Sequence, residues 1–151
     1  MAVYLDCNAT TPLDPAVRSV LLRYLDQDFG NEGSRTHEFG ARAKQAVQRA
    51  RDQVAALVGA KRDEVIFTSG ATESNNLAIL GLRAAAEEAG RRHIITTQIE
   101  HKAVLEPCDV LERLGFAVTR VPVGASGAVD PEAIRTVLRP ETFLVSVMQV
   151  N

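Results

Sequence analysis

The sequence contains little that favours a secreted or membrane-bound protein. Only two of its 151 residues are cysteines, Cys7 and Cys108, and they form neither a CxxC pair nor a metal-ligand spacing. Two distant thiols fit a reducing cytoplasm better than a disulfide framework. The amino terminus lacks the charged and apolar regions of a signal peptide, and no apolar run approaches the length of a membrane span. We therefore expect a cytoplasmic protein that does not bind a membrane.

The sequence also lacks an excess of positive charge. Its formal net charge is −2, its isoelectric point is near 5.9, and no block of lysine and arginine forms a basic arm. Because charge-driven binding of nucleic acid needs a basic surface, we expect no direct nucleic-acid partner. Hydrophobic residues make up 46% and charged residues 24% of the chain, as in ordinary globular proteins. A length of 151 residues suits one domain.

The hydrophobic pattern predicts strands that alternate with helices. Strands are predicted at residues 3–5, 64–67, 93–97, 116–121 and 142–148. Helices are predicted from Asp14-Pro15 onward, over 37–58, from near Leu77 to about Glu88, over 102–114 with a start, kink or break at Pro107, and over 131–138. This alternation implies an α/β layered fold with a largely parallel sheet. Since the last strand-like run ends with the sequence, the chain resembles part of a larger domain.

The most informative segment is the turn Thr68-Ser69-Gly70-Ala71-Thr72-Glu73-Ser74-Asn75-Asn76. It joins a strand-like run to a helix, and so it gathers backbone N–H groups at the positive end of a helix dipole. Gly70 lets an anion approach the backbone, and Ser69 and Thr72 offer hydroxyl donors. Taken alone, the run fits a phosphate site and an ordinary capped helix start about equally well. It is not a P-loop, because no Gly-Lys-Ser/Thr follows.

Taken in order, the segments resemble the amino-terminal part of the cysteine desulfurases, which belong to the class V aminotransferase-like group of fold-type I pyridoxal-phosphate enzymes. The matching motifs are Tyr4-Leu5-Asp6-x-Asn8-Ala9-Thr10-Thr11-Pro12, Phe29-Gly30-Asn31, residues 66–76, Ile94-Ile95-Thr96, Glu100-His101-Lys102-Ala103-Val104-Leu105 and Leu144-Val145-Ser146-Val147-Met148. The resemblance implies a three-layer α/β fold with a mostly parallel sheet, here an incomplete large domain. Residues 1–13 would belong to the small domain or substrate side, and residues 14–151 to the truncated cofactor-binding domain.

The resemblance also assigns roles to individual residues. Ala71 and Thr72 would hold the phosphate of pyridoxal 5′-phosphate. His101 would stack on the pyridine ring and transfer protons, a role that suits a flat imidazole that titrates near neutral pH. It also follows a strand, where ligands bind in α/β sheets. Outside this context His101 would be a structural histidine, as His37 and His93 are expected to be, and the spacing of the three indicates no metal site.

The activity implied by the resemblance is removal of sulfur from L-cysteine, which gives L-alanine and an enzyme persulfide. The sulfur would pass to an acceptor protein for iron–sulfur assembly, tRNA thiolation or DNA sulfur modification. Asn8, Ala9 and Thr10 would lie near the carboxylate of the amino-acid substrate. The intact enzyme would be a homodimer.

The family's Schiff-base lysine and persulfide-forming cysteine have no counterpart in this sequence. Lys44, Lys61 and Lys102 are its only lysines, and none lies in the family's Ser-x-His-Lys context; neither cysteine matches the catalytic position. The chain alone is therefore expected to be inactive. Two alternatives stay open. One is another fold-type I enzyme, such as a selenocysteine lyase or an aminotransferase, and the other is a non-catalytic truncated or split subunit.

Overall fold

The computed structural model describes residues 2–150, which form two compact units that meet in sequence between Phe67 and Thr68. The first unit contains helices α1 (Pro15–Asp26) and α2 (Glu38–Val58) and a 3-10 turn (Arg62–Glu64). The Asp14 carboxylate caps α1 and accepts the N–H of Ala16 at 2.7 Å. His37 caps α2, which ends at the left-handed Gly59. Both helices confirm the sequence prediction.

Two strands predicted in the first unit are wrong. Residues 3–5 and 65–67 run as irregular chain, and the 3-10 turn occupies the start of the second segment. Their side chains are largely exposed, with Leu5 at 85% and Ile66 at 66%. A strand exists only where a neighbouring backbone pairs with its N–H and C=O groups, and apolar, β-favouring residues do not supply that partner.

The second unit is built around a parallel three-stranded sheet in the order β2-β1-β3. Its strands are β1 (His93–Thr97), β2 (Ala117–Val121) and β3 (Thr142–Val145). All five residues of the central strand β1 are buried, as expected for a parallel strand covered on both faces. The sheet confirms the predicted parallel α/β fold. β1 matches its predicted range, whereas β3 ends at Val145 rather than Met148.

Four helices accompany the sheet: α3 (Ala71–Gly81), α4 (Arg83–Glu88), α5 (Lys102–Arg113) and α6 (Pro131–Val137). Side chains from α3, α4 and α5 pack on β1 to form the core, which consists of Ile79, Ala86, Ile94, Val104, Cys108, Leu111 and Phe116. Cys108 is fully buried and packs as a small apolar residue, as predicted, and this burial raises the pKa of its thiol to about 11. Within residues 2–150, every helix is too short or too polar to span a bilayer.

Three helix predictions differ from the structure. The single helix predicted to run to about Glu88 is divided at Leu82 into α3 and α4. α3 begins at Ala71, well before the apolar period that starts near Leu77, because its amino terminus is held by polar contacts of the preceding turn. α5 continues through Pro107 without a start or break. The proline leaves the carbonyl of Ala103 without its usual N–H donor, and this cost is offset because the Pro107 ring is buried.

Candidate functional site

The amino terminus of α3 is an open set of hydrogen-bond donors. The first intrahelical bond is donated by the N–H of Ser74 to the carbonyl of Gly70, at 3.1 Å. The N–H groups of Ala71, Thr72 and Glu73 therefore have no carbonyl partner within the helix. No side chain caps the terminus, because the N-cap position is Gly70. These N–H groups stand at the positive end of the helix dipole, where an anion is stabilised.

Two side-chain contacts hold the turn against the first turn of α3. The Glu73 carboxylate accepts both the N–H and the hydroxyl of Ser69, each at 2.6 Å, and these bonds lower the pKa of that carboxyl. Thr68 and Ser74 share a hydroxyl–hydroxyl bond of 2.7 Å. The Ser69 hydroxyl thus donates to Glu73 here, and its predicted role as a donor to a ligand stays a prediction. Thr72 is also exposed, as are Ser69 and Ser74.

Gly70 leaves room beside these donors. A Cβ atom at this position would meet no heavy atom within 4 Å. The φ angle of 163° is extended backbone that any residue adopts. Neither packing within the protein nor backbone conformation therefore requires glycine here, and its small size keeps the approach to the α3 terminus open.

His101 lies between β1 and α5, where it is the N-cap residue of α5. Its Nδ1 accepts the N–H of Ala103 at 3.1 Å. A neutral imidazole that accepts at Nδ1 carries its proton on Nε2. The cap therefore fixes the tautomer of an exposed ring and leaves Nε2 as the nitrogen available to a ligand.

The structure brings Thr72 and His101 together. Both line one open cavity of about 590 Å³, and the first turns of α3 and α5 both contribute to its wall. Ala71 precedes Thr72 at the start of α3. Thr72 of α3 and His101 thus border the same space, and most of its remaining lining lies along α5 as far as Arg113. The assignment of Ala71, Thr72 and His101 to a cofactor site stays a prediction.

The predicted substrate-side residues Asn8, Ala9 and Thr10 belong to the first unit. They form an exposed turn in which the N–H groups of Ala9 and Thr10 donate to the carbonyl of Asp6, at 3.1 and 3.4 Å. The Tyr4 hydroxyl lies 2.7 Å from the Thr10 hydroxyl. Their role near a substrate carboxylate stays a prediction.

The sequence prediction missed two carboxylates that shape the site. Glu73 orders the turn, and its signal was a glutamate four residues after Ser69 at a helix start. Glu100 is only 7% exposed, and its Oε1 accepts the Thr97 hydroxyl at 3.1 Å and the N–H of Met148 at 2.7 Å. The available signal was an acidic residue three positions after the strand run His93–Thr97, where a carboxylate needs donors once it is buried.

Known proteins share this sequence and fold. The class V aminotransferase family profile matches residues 3–151. A cysteine desulfurase of Homo sapiens is 52% identical over 149 residues, which are 99% of this chain and 32% of that protein. The crystal structure of DndA from Streptomyces lividans is 54% identical, with a TM-score of 0.85 over 99% of this chain and 41% of its own. SspA in complex with cysteine is 39% identical, with a TM-score of 0.87 over 98% of this chain and 42% of its own.

These matches cover nearly all of this chain and a minor part of the matched proteins. The chain spans about a third of the length of the curated relatives, 32% of the human protein for example. The neighbours of known structure share its α/β fold, so sequence and architecture agree along the same residues. This chain belongs to the class V aminotransferase family.

Proposed function

We propose that these residues form the phosphate- and ring-binding part of a pyridoxal-phosphate-dependent cysteine desulfurase. The observation that carries the proposal is the shared cavity of Thr72 and His101 at the uncapped terminus of α3. About half of the residues are identical to those of proteins named cysteine desulfurase. The proposed substrate is L-cysteine, and the products are L-alanine and an enzyme persulfide whose sulfur passes to an acceptor protein.

The residues present fit the cofactor. A phosphate dianion needs several convergent donors, and the N–H groups of Ala71 and Thr72 with the Thr72 hydroxyl supply them. The space beside Gly70 admits the phosphate. His101 would lie against the pyridine ring. When bound, pyridoxal phosphate supplies an electron sink that stabilises negative charge developing on the substrate carbon.

The protein's own groups orient the ligand and handle protons. Glu73 and Ser74 hold the turn through Ser69 and Thr68, so the α3 donors are arranged before the phosphate arrives. The Ala103 N–H keeps the Nδ1 of His101 occupied. A proton exchanged with a ligand is therefore held at Nε2.

Several features of the intact protein belong to the same proposal. Asn8, Ala9 and Thr10 would lie near the substrate carboxylate, with residues 1–13 on the substrate side and 14–151 in the cofactor-binding domain. The intact enzyme would be a cytoplasmic homodimer that supplies sulfur for iron–sulfur assembly, tRNA thiolation or DNA sulfur modification. The 151 residues alone would be inactive, because none of the three lysines has the family's Schiff-base context.

The test measures binding of pyridoxal 5′-phosphate, and of pyridoxal as a ligand without phosphate, by the protein at its native length. Thr72→Ala removes a hydroxyl from the phosphate site, and a hydrogen bond to a charged group is worth about 1.5–3 kcal/mol. We expect the Kd for pyridoxal phosphate to rise about tenfold or more and the Kd for pyridoxal to stay unchanged. Thr136→Ala is the matched control, since its hydroxyl donates to the Ala133 carbonyl within α6.

If Thr72→Ala raised the Kd values of both ligands equally, or changed neither, the assignment of Thr72 to the phosphate site would be contradicted. The substrate is tested separately, by alanine release from L-cysteine and from L-selenocysteine and by amino-group transfer to a 2-oxo acid. Alanine release from L-selenocysteine with none from L-cysteine would identify a selenocysteine lyase, and amino-group transfer without alanine release would identify an aminotransferase. Either result would overturn the desulfurase proposal and would leave the proposed cofactor site uncontradicted.

A further inference from the structure

The contact between Glu100 and Met148 extends the pairing of two strands beyond their ends. The N–H of Ser146 donates to the carbonyl of Ile95 at 2.9 Å, just past the end of β3. Two residues later, the N–H of Met148 donates a hydrogen bond to the Glu100 carboxylate, at 2.7 Å. A side chain here takes the place of a backbone acceptor. It thereby ties the loop after β1 to the chain after β3.

This contact is built from buried groups. Glu100 is 7% exposed, and Thr97 is fully buried. The Thr97 hydroxyl donates to the same Oε1 that accepts the Met148 N–H, so one oxygen has two donors from different parts of the chain. Loss of a buried acceptor leaves its donors unsatisfied, which makes such a bond costly to break. The Glu100 side chain therefore has a fixed position.

His101 follows Glu100 directly and is anchored on its other side by the Ala103 N–H at the start of α5. His101 thus lies between the buried carboxylate of Glu100 and the amino terminus of α5. Ile99 and Met148 line a second open cavity, of about 580 Å³, whereas His101 lines the first. The chain after β3 is therefore connected to Glu100, the residue that precedes His101.

We propose that Glu100 is a positioning residue for His101, and that its bonds to Thr97 and Met148 hold the imidazole at the cavity wall. The chemical role of His101 rests on the proposed function, but the contact does not. Glu100 touches neither the phosphate site nor the ring of His101 in this arrangement, and it acts through the backbone of its neighbour.

The test uses the protein at its native length, without added cofactor, and compares Glu100→Ala with Glu100→Gln. One readout is the hydrogen exchange rate of the Met148 amide, and the other is the ¹⁵N spectrum of the His101 ring. For Glu100→Ala we expect the Met148 amide to exchange at least about tenfold faster. The single Nε2–H tautomer of His101 should give way to an average of two. Glu100→Gln keeps an acceptor oxygen and should restore most of both signals.

Thr96→Val is the matched control. Thr96 is the other fully buried threonine of β1, and its hydroxyl has no partner among the described residues, so its loss should move neither readout. If Glu100→Ala fails to fold, Thr97→Val removes one donor and keeps the carboxylate, and a smaller shift in the same direction is expected. An unchanged His101 spectrum in the folded variant, whichever of the two it is, would overturn the proposal.

Neither readout depends on pyridoxal phosphate. A protein that binds no cofactor would refute the proposed function and leave this test intact. An unchanged His101 ring would refute the role of Glu100 and leave the cofactor site intact. The two failures are therefore distinguishable.

Discussion

The two units differ most in what they bury. In the second unit Ile94, Cys108 and Leu111 are fully buried around one parallel sheet. In the first unit no residue of α1 is buried, and the buried residues of the long helix α2 are only Gly40, Ala43 and Ala55. Both units contain helices with an apolar stripe. The difference teaches that, within these 151 residues, a stripe is buried only where the same unit offers it a surface.

The apolar side chains of α1 illustrate the point. They recur at helical spacing, yet all are exposed by more than a third: Val17, Val20, Leu21, Tyr24 and Leu25. Their pattern is as regular as that of α5, whose Val104, Cys108 and Leu111 pack on β1. Local amphipathicity therefore established both helices, whereas the sheet decided which one has a core.

The largest expected effect comes from truncating the same side chain in each unit. Leu111→Ala removes a fully buried side chain and leaves a cavity, which should lower the free energy of unfolding of the second unit by about 2–5 kcal/mol. Leu21→Ala removes a side chain that is 43% exposed and should cost less than about 1 kcal/mol. Denaturant unfolding followed by hydrogen exchange in each unit measures both. Similar losses of unfolding free energy in the two variants would contradict the difference in burial between the units.

A smaller effect tests one of the two tight glycine contacts of the first unit, which are at Gly30 and Gly40. A Cβ atom on Gly40 would lie 2.5 Å from the Ser34 carbonyl oxygen, so Gly40→Ala should destabilise α2 and the preceding loop by about 1–3 kcal/mol. Gly81→Ala is the control, because its Cβ would meet only the Leu77 side chain, at 3.8 Å. Alanine favours a helix, so this variant should be neutral or slightly more stable. Thermal unfolding of both variants measures these effects. A gain in stability for Gly40→Ala as well as for Gly81→Ala would contradict the close contact of Gly40 with Ser34.

The smallest effect is a pH dependence confined to the second unit. His93 is 1% exposed and joins all three strands, with Nδ1 2.7 Å from the Thr142 hydroxyl and Nε2 2.9 Å from the Thr119 hydroxyl. Burial, and then the charge of Arg139, lower the pKa of His93. Because the unfolded chain takes up the proton first, the stabilisation is complete above the unfolded pKa of about 6.5. It is lost as the pH falls through the lower folded pKa.

Hydrogen exchange of β1 amides between pH 7 and pH 5 measures this loss, and we expect the amides to exchange faster at pH 5 once the intrinsic pH dependence is subtracted. His93→Gln cannot titrate and should remove that part of the slope. A slope that persists in His93→Gln would assign the pH dependence to another group.

Much of the architecture could be predicted because its signals are local. Asp14 before Pro15 marks the start of α1, Gly59 ends α2, and the apolar run from Ile94 marks β1. These signals depend on caps and on composition within a few residues. The strands predicted at 3–5 and 64–67 were wrong for the opposite reason, since pairing depends on a partner that is distant in sequence.

The features of the candidate site also differ in whether local sequence signals could predict them. The turn, its helix dipole and the candidate residues Ala71, Thr72 and His101 could be predicted from motifs. The hydrogen bond from Ser69 to Glu73 could not be predicted from the sequence. The turn holds more than one hydroxyl that could donate to this carboxylate, and only the folded geometry selects Ser69. The contact of Glu100 with Met148 was equally hidden, since it joins residues 48 positions apart.

The sequence by itself determined the parallel α/β class, most helix ends and the family to which the chain belongs. Those properties follow from local backbone preferences and from the order of motifs. Tertiary structure alone decided which apolar stripes are buried, where α3 begins, and that Thr72 and His101 share one cavity. The physical reason is that burial and hydrogen bonding are satisfied between segments, and the segment that supplies a partner is chosen only when the chain folds.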